Sequence, residues 1–212
     1  MMPTVTKNLI IINVLVFFGT IVAQRYGLDL TNYLGLHFFL ASDFNPAQLI
    51  TYMFMHGGFW HIFFNMYTLL MFGIILERAL GSKKFLIFYF VTGLGAAALH
   101  TGVEWIQAQY FLSAGAAVNY HNLLMTPTLG ASGAIYGVLI GYAMCYPDSR
   151  LTLLFPPVTL TAKWFVIIFA GIELFTGISG FQDGVAHFAH LGGMLFGWLL
   201  IRWWRKKGEF YY

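Results

Sequence analysis

Apolar residues run along the chain in six long stretches, at roughly 8–24, 57–76, 85–103, 128–146, 162–180 and 185–203. Each approaches the ~20 residues that an α-helix needs to cross the hydrocarbon core of a bilayer. Between the first two, the segment from Arg25 to His56 is also apolar but is broken by Gly27, Asp29, Gly35, Asp43 and Pro46. It is too interrupted for a span and too apolar for a solvated loop, which predicts a segment lying in the membrane interface. Glu104 to Pro127 is similar in kind, rich in Gly, Ala and Asn and free of Lys and Arg. No linker, repeat or low-complexity tract divides the pattern. Residues 1–212 are therefore expected to form one all-α membrane domain, a six-transmembrane-helix bundle.

Composition sharpens this. The 212 residues are 59% apolar and only 9% charged, against about 25% charged in soluble domains; so few charges cannot cover a soluble surface. With the N-terminus in the cytoplasm, six spans return the C-terminus to it. Lys7, Arg78, Lys83, Lys84, Arg150, Lys163, Arg202, Arg205, Lys206 and Lys207 then all fall inside, and Arg25 alone falls outside, as the positive-inside rule requires. Trp203-Trp204-Arg205-Lys206-Lys207 reads as an aromatic membrane anchor with a basic stop. Lys7 followed by Asn8–Ala23 has the shape of a signal peptide, but the apolar segments that follow favour an uncleaved first span. The dispersed net charge of +3 argues against nucleic acid, and the single cysteine, Cys145, excludes an internal disulfide framework or a multi-cysteine metal site.

Polar residues inside spans are costly and mark functional positions. On this topology His61 lies near the outer end of the second span and Ser132 near the outer start of the fourth. His190 lies a turn and a half into the sixth, again from outside. His61 and Asn65, and Ser132 and Tyr136, are i,i+4 pairs and share helix faces. Gly133, Gly137 and Gly141 recur at four-residue steps in the fourth span, and Gly193 and Gly197 follow His190 in the sixth. Such small-residue faces let helices approach closely, which predicts that these two spans pack and bring His190 to Ser132. A Gly-x-Ser-Gly run alone is more often a packing face, and a lone intramembrane histidine is often a satisfied bundle residue. Their coincidence at one depth favours chemistry.

These residues also carry a resemblance. Leu49-Ile50-Thr51-Tyr52-Met53-Phe54-Met55-His56-Gly57-Gly58-Phe59-Trp60-His61-Ile62-Phe63-Phe64-Asn65, Glu77-Arg78-Ala79-Leu80-Gly81-Ser82, Gly130-Ala131-Ser132-Gly133 with Tyr136, and Ala189-His190-Leu191-Gly192-Gly193 through Gly197 resemble the rhomboid intramembrane serine proteases, in the minimal six-span bacterial form. The resemblance implies that Ser132 is the nucleophile, His190 the general base, His61 and Asn65 oxyanion stabilisers, and Tyr136 the ring against the imidazole. It implies a membrane-dipping loop after the first span, transmembrane protein substrates, and a bacterial cell-membrane protein whose site opens to the outer side. Ala47-Gln48 stands where family members often carry Trp-Arg, which weakens the expected anchoring of that loop.

The resulting expectation is an intramembrane serine endopeptidase working by a Ser132–His190 dyad. Asp183 reads as a loop charge, and Glu173 is set aside as mid-span and far from the loop on another helix. His187 is the rival base, and His56 and His187 are candidates for supporting hydrogen bonds. No cofactor or metal is implied: there is no HExxH, and His187-x-x-His190 lacks a carboxylate on its helix other than Asp183. The competing classes are an inactive rhomboid-like binder, which predicts loss of Ser132 or His190, and a small-solute channel, which needs inner-half polar residues beyond Asn13 and Glu173. Trp60, Phe64, Trp164 and Phe165 could form a lateral gate or simply pack. Nothing in the sequence sets an oligomeric state.

Overall fold

The computed structural model describes residues 1–153, 157–179 and 186–209. Ten α-helices and one short hairpin are formed among them. The helices are α1 (Thr4–Arg25), α2 (Leu30–Leu34), α3 (Gln48–Thr51), α4 (Phe59–Thr68), α5 (Ile74–Leu80), α6 (Ser82–Ser113), α7 (Ala117–Met125), α8 (Ser132–Cys145), α9 (Ala162–Ser179) and α10 (His187–Lys206). A π-helical turn over Leu69–Gly73 joins α4 to α5 into one continuous 22-residue rod. Four helical segments among the described residues are long and apolar enough to cross a membrane: α1, the α4–α5 rod, α6 and α9. The protein is a helical membrane protein.

Two boundaries differ from the sequence pattern. The third apolar stretch does not stop near 103: α6 runs on to Ser113 and α7 follows, so Glu104–Pro127 is mostly helical. At the crossover, His100 and Glu104 form an i,i+4 contact at 3.4 Å, which gives the carboxylate a partner. The fourth stretch is helical only from Ser132 to Cys145, 14 residues, or ~21 Å at 1.5 Å per residue. The hairpin pairs Arg150–Thr152 with Thr159–Thr161 (β1 and β2, Leu151 opposite Leu160) between α8 and α9.

The centre of the fold is the packing of α6, α8 and α10, and glycines make it possible. A Cβ at Gly193 would stand 1.8 Å from the Gly133 carbonyl oxygen, so these backbones touch. At Gly192 it would lie 2.8 Å from the Gly95 carbonyl oxygen, and at Gly137 2.4 Å from Thr92 Cβ. The predicted glycine-face approach of the fourth and sixth segments is where these helices meet. Around them the buried core includes Phe85, Phe88, Tyr89, Leu76, Val138 and Ile201. Glu77, buried in α5, accepts hydrogen bonds from the Val5 and Thr6 amides and the Thr6 and Ser82 hydroxyls, tying α1 to the rod.

The segment after α1 packs back on the bundle through Leu36, Phe38, Tyr52, Met53 and Met55, all buried. Its anchoring comes from the residue that departs from the family pattern. The buried Gln48 amide accepts from His37 N and Asn45 N, and donates to the Tyr33 and Asp43 carbonyls. The Thr51 hydroxyl donates to the Leu34 carbonyl at 2.7 Å. The segment reaches the site directly: Leu36 and Thr128 exchange backbone hydrogen bonds at 2.9 and 2.8 Å, and Gly130 N donates to Tyr52 O at 3.0 Å. The strand-like stretch that delivers Ser132 to the head of α8 is thus held from the other side of the chain.

Candidate active site

Ser132 is the first residue of α8, where the leading backbone N–H groups have no partner within the helix and the helix dipole is positive. Before it, Gly130 has φ +127°, and a Cβ there would lie 2.8 Å from His61 Nε2 and 3.4 Å from Ser132 Oγ. Only glycine fits this point, both for its backbone conformation and because histidine and serine converge on it.

The Ser132 hydroxyl lies 2.8 Å from His190 Nε2. Tyr136, one turn below Ser132, stacks on the His190 imidazole with ring centroids 4.2 Å apart and planes 5° from parallel. The ring plane of His190 is thereby fixed while its edge meets the hydroxyl. His61 Nδ1 accepts from the Gly57 amide in a long contact of 3.4 Å; this leaves Nε2 as the protonated nitrogen of the neutral ring, directed at Gly130 and Ser132. Asn65, one turn on, is buried, and its Nδ2 has no hydrogen-bond partner among the described residues. His61, Asn65, Ser132, Tyr136 and His190 line one cavity of about 930 Å³. A smaller apolar cavity of about 460 Å³, between Phe39, Phe44 and Trp105, touches none of them.

Sequence reasoning set Glu173 aside, yet α9 carries it to the far side of His190. Its Oε1 lies 3.0 Å from His190 Nδ1 and accepts the Tyr136 hydroxyl. Its Oε2 lies 2.6 Å from His187 Nδ1. His190 Nδ1 has no partner of hydrogen-bond geometry among the described residues, so this approach is a close contact rather than an aligned hydrogen bond. His187 faces this carboxylate and the Thr176 hydroxyl, 3.1 Å away, while His190 meets the serine. Neither ring nitrogen of His56 has a partner of hydrogen-bond geometry among the described residues; its ring packs edge-on to His61 at 5.0 Å. Asp183 lies outside the described residues. Of the aromatic gate candidates, Trp60 and Phe64 are exposed and line the cavity, whereas Phe165 is buried against Phe169. Among the described residues no group of three or more His, Cys, Asp or Glu side chains is disposed to hold a metal ion.

An apolar helix bundle with a serine hydroxyl on an imidazole, at the head of an inner helix, defines a class: helical membrane proteins with a serine and a histidine in hydrogen-bond contact inside the bundle. Within it, the chain belongs to the rhomboid family, since the Rhomboid domain model matches residues 44–207. It is 30% identical over 155 residues to "Rhomboid protease AarA" of Providencia stuartii, covering 70% of this chain and 52% of that protein. It is 30% identical over 160 residues to "RHOMBOID-like protein 4" of Arabidopsis thaliana, covering 72% and 32%. It is 27% identical over 163 residues to "Rhomboid protein 1, mitochondrial" of Saccharomyces cerevisiae, covering 77% and 43%. The chain thus spans about half or less of the length of these relatives. Characterised members of the family are serine proteases, and inactive homologues also occur.

Proposed function

We propose that this protein is an intramembrane serine endopeptidase that hydrolyses a peptide bond in or next to the transmembrane segments of other membrane proteins. The observation that carries this reading is the 2.8 Å contact of Ser132 Oγ with His190 Nε2, made inside a cavity of a membrane helix bundle. Ser132 attacks the scissile carbonyl as its proton passes to His190 Nε2. The imidazolium then gives that proton to the leaving amine as the C–N bond breaks, and water hydrolyses the acyl-enzyme through the same base. The developing oxyanion is met by the Ser132 N–H, His61 Nε2 and Asn65 Nδ2, donors that have few competing partners before substrate arrives.

In the bilayer the chain makes six spans, α8 and α10 included, with both termini cytoplasmic and the cavity open to the outer side of a bacterial cell membrane. The uneven distribution of Lys and Arg supports this topology. The segment between α1 and α4 dips into the interface and flanks the cavity. Substrates are single-span proteins with a locally weak helix, cut near the outer face beside a small residue, as the family resemblance implies.

The test is incubation of the purified protein in liposomes with a reporter span, followed by mass spectrometry of the products. Cleavage within or beside the span is expected. An intact reporter with folded protein would instead point to a rhomboid-like binder without proteolytic activity.

A further inference from the structure

A carboxylate in the middle of an apolar helix is costly. For α9, whose only other charged residue is Lys163 at its start, the cost is on the order of 3 kcal/mol by membrane-insertion scales. The side-chain partners of Glu173 among the described residues are groups of the candidate site: the Tyr136 hydroxyl, His190 Nδ1 and His187 Nδ1. These side chains come from α8 and α10, and all three converge on one buried carboxyl group. Helix packing alone needs no such convergence.

The base in a serine hydrolase has two requirements that Tyr136 stacking does not meet. Its neutral form must carry the proton on Nδ1, so that Nε2 is free to accept from serine. Its charged form must be stabilised where water is scarce. A carboxylate oxygen 3.0 Å from Nδ1 does both. It selects the Nδ1–H tautomer and faces the imidazolium when the Ser132 proton arrives at Nε2. Through the hydroxyl of Tyr136 it also fixes the ring that stacks on the imidazole.

We propose that Glu173 is the third member of this site, a positioning residue that acts through His190 and extends the serine–histidine pair to a Ser132–His190–Glu173 triad with His187 as the carboxylate's second partner. No proton moves to Glu173: the serine proton rests on Nε2 and leaves with the amine, and the carboxylate stays ionised throughout. This rests on the proteolytic reading above.

The experiment is steady-state cleavage of the reporter span by Glu173→Gln, which keeps the shape and the acceptor for Tyr136 but removes the charge. Converting an orienting carboxylate to its amide can cost ~10⁴ in kcat where the contact is aligned. With no aligned hydrogen bond to lose and Tyr136 still stacked, a smaller fall of ~10²–10³ in kcat with KM unchanged is expected, and Glu173→Asp should recover part of it. In isotope-labelled wild type, the ring nitrogen shifts of neutral His190 should report the Nδ1–H tautomer, and this preference should weaken in Glu173→Gln. A folded Glu173→Gln with kcat within about threefold of wild type overturns the assignment, as does a loss that appears equally in KM and melting temperature. If Glu173→Gln does not fold, the wild-type tautomer decides: a neutral His190 protonated on Nε2 overturns the assignment. An intact reporter with folded wild type would instead defeat the proteolytic reading itself, so the two failures are distinct.

Discussion

Gly193 and Gly133 bring α10 and α8 into backbone contact, and a single methyl group at Gly193 would overlap the Gly133 carbonyl oxygen at 1.8 Å. The same crossing sets the 2.8 Å reach of His190 to Ser132 one turn away. Close packing in this fold therefore also sets the geometry of the candidate site.

Gly193→Ala should force the two helices apart, since carbon–oxygen contacts need more than 3 Å and the obstacle is backbone. Overpacking of this kind costs ~1–3 kcal/mol, and displacing a base by ~1 Å can cost ~10² in rate. Both a lower melting temperature in detergent and a loss of cleavage of about that size are expected. Gly19→Ala, where the added carbon meets nothing within 4 Å, should change neither. Equal behaviour of the two variants would show that the crossing does not set the site.

His61→Ala and Asn65→Ala should each lower kcat by ~10²–10³, the cost of one lost oxyanion donor, while leaving KM and fold little changed. His61 Nε2 sits beside Gly130 and Ser132, and Asn65 Nδ2 is an unspent donor in the same cavity. Full kcat in either variant would remove that side chain from the oxyanion site.

Gln48→Ala should loosen the segment between α1 and α4, because it strands the buried His37 amide and frees two carbonyls that the side chain now binds. Unsatisfied buried groups cost ~1–3 kcal/mol each, so a drop of roughly 5–10 °C in melting temperature is expected for a protein of this size. An unchanged melting curve would mean that the segment is held by its other ties, the Leu36–Thr128 bridge and its buried side chains among them.

Burial, and then the neighbouring His61, push the His56 imidazole down from 6.5 to about 4. The folded protein therefore binds fewer protons than the unfolded chain between these values. The sign follows: stability from this group is complete above pH 6.5 and is lost as pH falls toward 4. Melting temperatures at pH 7 and 4.5 should differ more in wild type than in His56→Phe, by ~5 °C or more. Parallel curves would exclude His56 as a source of acid sensitivity.

Much of the bundle was legible because lipid-crossing helices write themselves as unbroken apolar runs, and because glycine spacing marks where two can touch. Ser132, His61, Asn65, Tyr136 and His190 could be named from depth and i,i+4 spacing, and the structure gathers them in one cavity. The nearness of Glu173 to His190 has a geometric reason that mid-span position hides. Glu173 lies six residues before the end of α9, and His190 lies three residues into α10. At 1.5 Å per residue the two differ in depth by only ~5 Å, which a glutamate side chain spans. The helical run of α6 past 103 was missed because Gly and polar residues lower its hydropathy without breaking a helix. The role of Gln48 is not legible from its departure from Trp-Arg: its buried carboxamide satisfies four backbone groups at once.

The most direct measurement compares cleavage of a reporter transmembrane segment by wild type, Ser132→Ala and His190→Ala, each purified, shown to be folded and reconstituted in liposomes. Wild type should release products cut within or beside the span, and each variant should release none above background. Cleavage that persists in folded Ser132→Ala, or in folded His190→Ala, would contradict hydrolysis by this pair.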